Sequence, residues 1–160
     1  MSSASGKSKE LKIITRHVIT LDDIVKDEEK LRLLYVIKEF GEISEKAMHY
    51  LIHGLQDSKN IDMGYSFNVI GGIPFSKKLR EDIVSLLYVG VIETNPRNKK
   101  LRVTTLGNEV LEKNAEKLGD TNSIKEGIED LRAKITSIDA ELELQALLEK
   151  RQRSRRRRTL

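Results

Sequence analysis

Apolar and polar positions alternate along this chain with two periods, and each period marks a kind of element. In "DEEKLRLLYVIKEFGE", Leu31, Leu34, Tyr35, Ile37 and Lys38 share one face of a helix that acids open and Gly41 closes. In "GEISEKAMHYLIHGLQ", Ser44 is placed to cap a second helix, with Ala47, Met48, Leu51, Ile52 and Leu55 at helical spacing. The next stretch, "DSKNIDMGYSFNVIGGI", carries three glycines around short apolar pieces and reads as loop or irregular strand. Ser76 then caps a third helix whose buried stripe is Leu79, Ile83, Leu86 and Leu87, and Gly90 ends it. "VIET" and "LRVTT" form a hairpin about the turn "NPRNKK", and "LGNEVLEKNAEKLG" adds a helix with Val110, Leu111 and Leu118 inward.

The two ends differ from this body. Residues 1–10 are small and polar and read as a disordered arm, and "LKIITRHVIT" as a strand or extended segment packed on the body. Ser123 and Glu126 stand at capping-box spacing. Beyond them Ile124, Ile128, Leu131, Ile135, Ile138 and Leu142 follow at steps of four and three, the seam of a coiled coil. That seam predicts a homodimer, parallel or antiparallel. The expected organisation is an arm and extended segment over 1–27, a folded domain over 28–119, a dimerisation helix over 120–150 and a disordered basic tail over 151–160.

Composition narrows the chemistry. A chain of 160 residues holds one small core and an appendage. With no cysteine there is no disulfide framework, thiolate metal site or cysteine nucleophile, and the chain suits a reducing cytoplasm. Only 4% of residues are aromatic and none is tryptophan, which argues against stacking platforms for single strands. No apolar run approaches the roughly 20 residues of a membrane helix. His49 and His53 have the spacing of two metal ligands, but "HYLIH" lacks the glutamate of metalloprotease chemistry and no third ligand is evident. They read as surface or partly buried histidines. With no phosphate loop, dinucleotide fingerprint or serine-nucleophile motif, neither enzyme nor cofactor is expected.

The charge is asymmetric. The formal net charge is +4, yet seven of the 29 basic residues lie in 150–158 and all 25 acids precede them, so the rest carries 22 basic against 25 acidic groups. Anion binding must therefore rest on local clusters. Ser76, Lys77, Lys78 and Arg80 open the third helix, with Glu81 and Asp82 opposing them. Arg97, Asn98, Lys99, Lys100 and Arg102 decorate the hairpin, and Arg155, Arg156, Arg157 and Arg158 dominate the tail. Taken singly, each cluster fits ordinary solvated surface.

Together they fall into a pattern. "FSKKLREDIVSLLYVGVIE" and "LRVTTLGNEVLEK" resemble the recognition helix and wing of the winged helix-turn-helix superfamily, over Glu29 to Leu118. With the C-terminal heptad helix added, the whole resembles PadR-type regulators and small archaeal winged-helix proteins that dimerise through such helices. The resemblance implies a mainly α fold with a small β-hairpin wing. It also implies a dimeric double-stranded DNA-binding protein, a transcriptional regulator or small chromatin protein associated with the nucleoid. In that reading the helix at Ser76 enters the major groove, the 95–102 wing meets the backbone, and the tail binds phosphate without regard to sequence. The chain departs from the pattern at 57–74, where a compact helix-turn-helix has only a short turn. The alternative is a winged-helix module that docks proteins in a transcription or replication assembly.

Overall fold

Side-chain caps and a few glycines set the element boundaries. The computed structural model describes residues 18–159, so the arm expected over 1–10 and most of the segment expected over 11–20 lie outside the described residues. Thr20 and Asp23 form a capping box that opens α1 (Leu21–Lys26), a short helix where extended chain was expected, with Ile24 buried. Asp27 accepts from the Glu29 and Lys30 amides and starts α2 (Glu28–Phe40). Ser44 starts α3 (Glu45–Asp57) by accepting from the Ala47 amide. Strands β1 (Asn68–Ile70) and β2 (Ile73–Phe75) then pair antiparallel about Gly71 and Gly72, both at positive φ. Helix α4 (Lys77–Val89) ends at Gly90, φ 82°. Strands β3 (Ile92–Thr94) and β4 (Leu101–Val103) make the second antiparallel hairpin. Helix α5 (Thr105–Lys113) and a 3₁₀ turn (Ala115–Leu118) lead to the long α6 (Thr121–Thr159).

The protein is thus mainly helical, with small two-stranded antiparallel hairpins and a long C-terminal helix. No helix among the described residues is long and apolar enough to cross a membrane.

Helix α2 is the hub. Leu31, Leu33, Leu34, Val36 and Ile37 are all buried, apolar nearly all the way round as an enclosed helix must be. Of the residues expected on its inward face, only Lys38 is exposed. Ile43 bridges to Leu101 through two backbone hydrogen bonds, tying the α2–α3 link to the β3–β4 hairpin.

The heptad seam faces this body. Ile124, Ile128 and Ile135 are buried in the common core, and Leu131 and Ile138 pack against it. Two polar contacts fix the register. The Arg132 guanidinium donates to the Phe40 and Glu39 carbonyls at the end of α2, both at 2.8 Å. The buried Asp139 carboxylate accepts from the Ser44 amide, 3.1 Å away, at the start of α3. One helix therefore satisfies a C-terminus and an N-terminus of its neighbours, each bond strengthened by a formal charge. Gly127 lets it come close: a Cβ there would lie 2.7 Å from a Leu55 methyl.

Three expectations change accordingly. Residues 120–142 belong to the folded body, because their apolar seam is the lid of its core. Asp120 rather than Ser123 caps α6, accepting from the Ser123 amide at 3.1 Å. And α6 runs unbroken through the basic residues to Thr159, where a disordered tail was expected.

Candidate nucleic-acid interface

The start of α4 is held from below by a histidine. Ser76 Oγ caps the helix by accepting from the Leu79 amide, and the Ser76 amide donates to His49 Nδ1 at 3.1 Å. The His49 ring stacks on Phe75, centroids 5.0 Å apart, and is buried. His49 was expected as a surface or partly buried histidine; it is buried on the inward face of α3, where it supports the start of α4. Burial, and secondarily the Arg80 charge, hold its pKa below the ordinary 6.5.

That arrangement predicts a pH dependence. A protonated imidazole carries hydrogen on Nδ1 and cannot accept from Ser76. Since the folded pKa is depressed, the unfolded chain binds more protons below pH 6.5, so stability falls as pH drops through that value. The loss is complete below the folded pKa. Urea unfolding midpoints of the protein should decline between neutral pH and about pH 5, and those of His49→Gln should decline distinctly less. Parallel declines for the two proteins would place the sensitivity elsewhere.

Of the seven predicted cations on α4 and the hairpin, four have an acidic neighbour from another element. Lys78 pairs with Glu29 and lies over the Tyr65 ring. Arg80 is 3.8 Å from Glu45, Lys100 is 2.8 Å from Glu143, and Arg102 reaches Glu93 at 2.9 Å and Glu42 at 3.7 Å. Asn98, predicted to face DNA, donates to Glu42, as does Asn95. These hydrogen bonds hold the Glu42 carboxyl below its usual range. Ser76 is buried beneath the helix start and is a cap, not a surface donor. Lys77, Arg97 and Lys99 are exposed, with Lys99 at positive φ on the hairpin turn. Lys150, Arg151, Arg153 and Arg155 to Arg158 line an exposed helical end.

Asp82 needs a correction. Its sequence position suggested repulsion beside the basic cluster, yet it is buried. Tyr65 Oη donates to it at 2.7 Å, with Lys30 at 3.8 Å. Burial raises its pKa. Tyr65 comes from the 57–74 segment, so this bond fastens that segment to α4.

What the sequence did not reveal is how the clusters meet. Leu142 and Gln145 of α6 line one groove of about 450 Å³ with Phe75 and Arg80 at the start of α4. The neighbouring Glu143 pairs with Lys100 of the hairpin. The start of α4, the β3–β4 hairpin and the departing α6 therefore converge within one turn of α6, from Leu142 to Gln145. The acidic partners Glu29, Glu42, Glu45 and Glu143 were missed because they are distant in sequence; no local spacing announces them.

No protein-family model, curated protein or solved structure matches the chain significantly.

Proposed function

We propose that the protein is a winged-helix protein that binds double-stranded DNA largely without regard to sequence. The observation that carries this reading is that the start of α4 and the β3–β4 hairpin, each with cations, meet α6 at Leu142–Gln145, and that the same helix continues into the basic run 150–158. The helical end over 150–158 supplies seven positive charges with no acid among them. Exposed Lys77, Arg97 and Lys99 supply further charge on α4 and the hairpin. The winged-helix assignment is supported by the order α2, α3, α4, β3–β4 hairpin, with the β1–β2 hairpin inserted before α4, and by the isolated Ile43–Leu101 bridge that ties the α2–α3 link to the hairpin. Base reading is the weaker part of the expectation, since Lys78 and Arg80 are engaged by Glu29 and Glu45. Phosphate contacts position a protein and carry no sequence information.

The test is fluorescence anisotropy with two unrelated duplexes over a salt series. The two affinities should agree, and both should fall steeply with salt. Replacing Arg155, Arg156, Arg157 and Arg158 by glutamine should shrink the slope of log K against log salt by up to about 3.6, at roughly 0.9 per phosphate contact. An unchanged slope would remove the helical end from the interface.

A second reading, docking of a protein partner, draws on one feature. The outward face of α4 beyond its first turn carries exposed Glu81, Val84 and Tyr88, an acidic and apolar surface unsuited to a DNA groove. Binding that survives Lys77→Glu but is lost in Val84→Asp, measured with a candidate partner, would favour it.

A further inference from the structure

The 57–74 segment, where the chain departs from a compact helix-turn-helix, ends in the β1–β2 hairpin, to which DNA binding as proposed gives no task. From Met63 to Ser76 the chain holds no charged residue, in a protein that is 34% charged. Gly71 and Gly72 make the turn, and the register sets Ile70 directly opposite Ile73, so that their side chains share a face. Ile70 is 78% exposed, Ile73 59% and Val69 53%. Three β-branched apolar side chains thus stand in water at one tip. The base of the hairpin is fastened to α3 and α4. The Tyr65 amide donates to Gln56 Oε1 at 3.0 Å, Gln56 Nε2 donates back to the Tyr65 carbonyl at 2.8 Å, and Tyr65 Oη donates to buried Asp82. Phe67 meets the His53 ring edge-on, Phe75 stacks on His49, and Pro74 is buried. A firm base therefore carries an apolar tip that nothing in its own chain covers.

We infer that this hairpin is a DNA wedge: its tip, led by Ile70, enters a base step from the minor groove and bends the duplex. The inference rests on the DNA-binding reading and adds an activity to it. The first argument is position. Strand β2 runs through the Ser76 cap straight into α4, and Phe75 shares a groove of about 660 Å³ with Lys77 and Arg80. At about 3.3 Å per strand residue, Ile73 and its partner Ile70 stand roughly 7 Å beyond Phe75. The second argument is chemistry. An isoleucine leaves water on entering the base stack, and an uncharged tip meets no repulsion from the phosphates on either side. Exposed Asn68 on β1 adds an amide of the kind that meets minor-groove base edges. Glu81 lines the same groove and Glu45 lies 3.8 Å from Arg80, so phosphate contact falls chiefly to Lys77 and to the basic run of α6. The third argument is shape. No atom lies within 4 Å of where a Cβ on either turn glycine would sit, so the tip is slim, as entry to a groove about 6 Å wide requires.

The test separates bending from binding. A duplex of about 30 base pairs carries a dye at each end, and anisotropy on the same duplex reports binding. The full chain should raise energy transfer between the ends, corresponding to a bend of about 20–90°, and more readily over a central T-A step than over an A-tract. A 2-aminopurine beside that step should brighten as it unstacks. Ile70→Ser with Ile73→Ser should abolish both signals. The variant should still bind with an unchanged salt slope, because isoleucine meets no phosphate. Its circular dichroism and melting should match the parent, since both positions are exposed. Binding without a bend, or a bend that survives the serines, overturns the wedge and leaves the DNA reading standing. No binding to either duplex at low salt removes both. A changed sedimentation of the serine variant in the absence of DNA would assign the tip to a second copy of the chain and would also overturn the proposal.

Discussion

A chain ending at Gly119 is expected to show no cooperative unfolding transition, and to be cut rapidly by protease at sites that the whole protein shields. The reason is the role of α6 in the core. Ile124, Ile128 and Ile135 are at most 2% exposed, and Leu131 and Ile138 are partly covered. Each fully buried isoleucine stabilises by roughly 1.5–3 kcal/mol. Three together reach about 5–9 kcal/mol, comparable to the whole stability of an ordinary domain. Truncation also uncovers Leu55 of α3, whose methyl lies against Gly127, and strips the Arg132 guanidinium from the end of α2. A second truncation calibrates the first. Ending the chain at Glu149 removes the basic end but keeps every buried seam residue and Asp139. Its melting temperature should stay within about 3 °C of the full chain, since loss of an exposed helical end costs about 1 kcal/mol at most. Circular dichroism melts of the three proteins decide the matter. A 1–119 fragment melting cooperatively near the full-length temperature would mean that α6 is an appendage, as its heptad pattern alone suggested.

That contrast shows where sequence reasoning reached and where it stopped. The caps Ser44 and Ser76, the C-terminal Gly41 and Gly90, and the second hairpin all stand where local chemistry puts them, because a cap or turn is decided within four residues. The stripes on α3 and α4 were legible for the same reason, apart from His49, Asp82 and Ser85, polar groups that burial tolerates only with partners. Tyr65 satisfies Asp82 and Ser76 satisfies His49, each across many positions of chain. The β1–β2 hairpin is announced by "VIGGIPF", two glycines between β-formers; reading the stretch as loop or irregular strand left the two strands unpaired. The heptad seam was read correctly as an apolar stripe and given the wrong covering surface. Period says that a face is buried, not what buries it. The candidate interface was legible as clusters but not as a site. Ion pairs such as Lys100 to Glu143 join residues whose nearness only the fold creates.

Replacing Gly107 by alanine should lower the melting temperature by about 6–12 °C, although alanine is the better helix former. Position 107 lies in the first turn of α5, where helix propensity alone favours alanine by about 0.8–1 kcal/mol. Packing decides the opposite. A Cβ on Gly107 would sit 2.1 Å from the Val91 carbonyl oxygen and 2.6 Å from Val103 Cγ1. The Val91 carbonyl cannot withdraw freely, because it accepts the Thr104 amide at 3.0 Å. Thr104 is itself fixed twice. Its hydroxyl donates to the Gly90 carbonyl at 2.6 Å, and its oxygen accepts from the Gly107 amide at 3.1 Å. Thr104 and Gly107 thus form a clamp: the threonine ties the end of α4 to the start of α5, and the glycine lets the helix close on β3. Relief of the clash must splay α5 from the hairpin, at a cost of about 3 kcal/mol by the scale of overpacked cores. In a chain of this size 1 kcal/mol moves the midpoint by about 2–4 °C, which gives the expected shift. Leu106→Ala, one position earlier and exposed, should change the melting temperature little and serves as the control. A Gly107→Ala protein as stable as its parent would show that propensity outweighs the contact and that the clamp is looser than its distances imply.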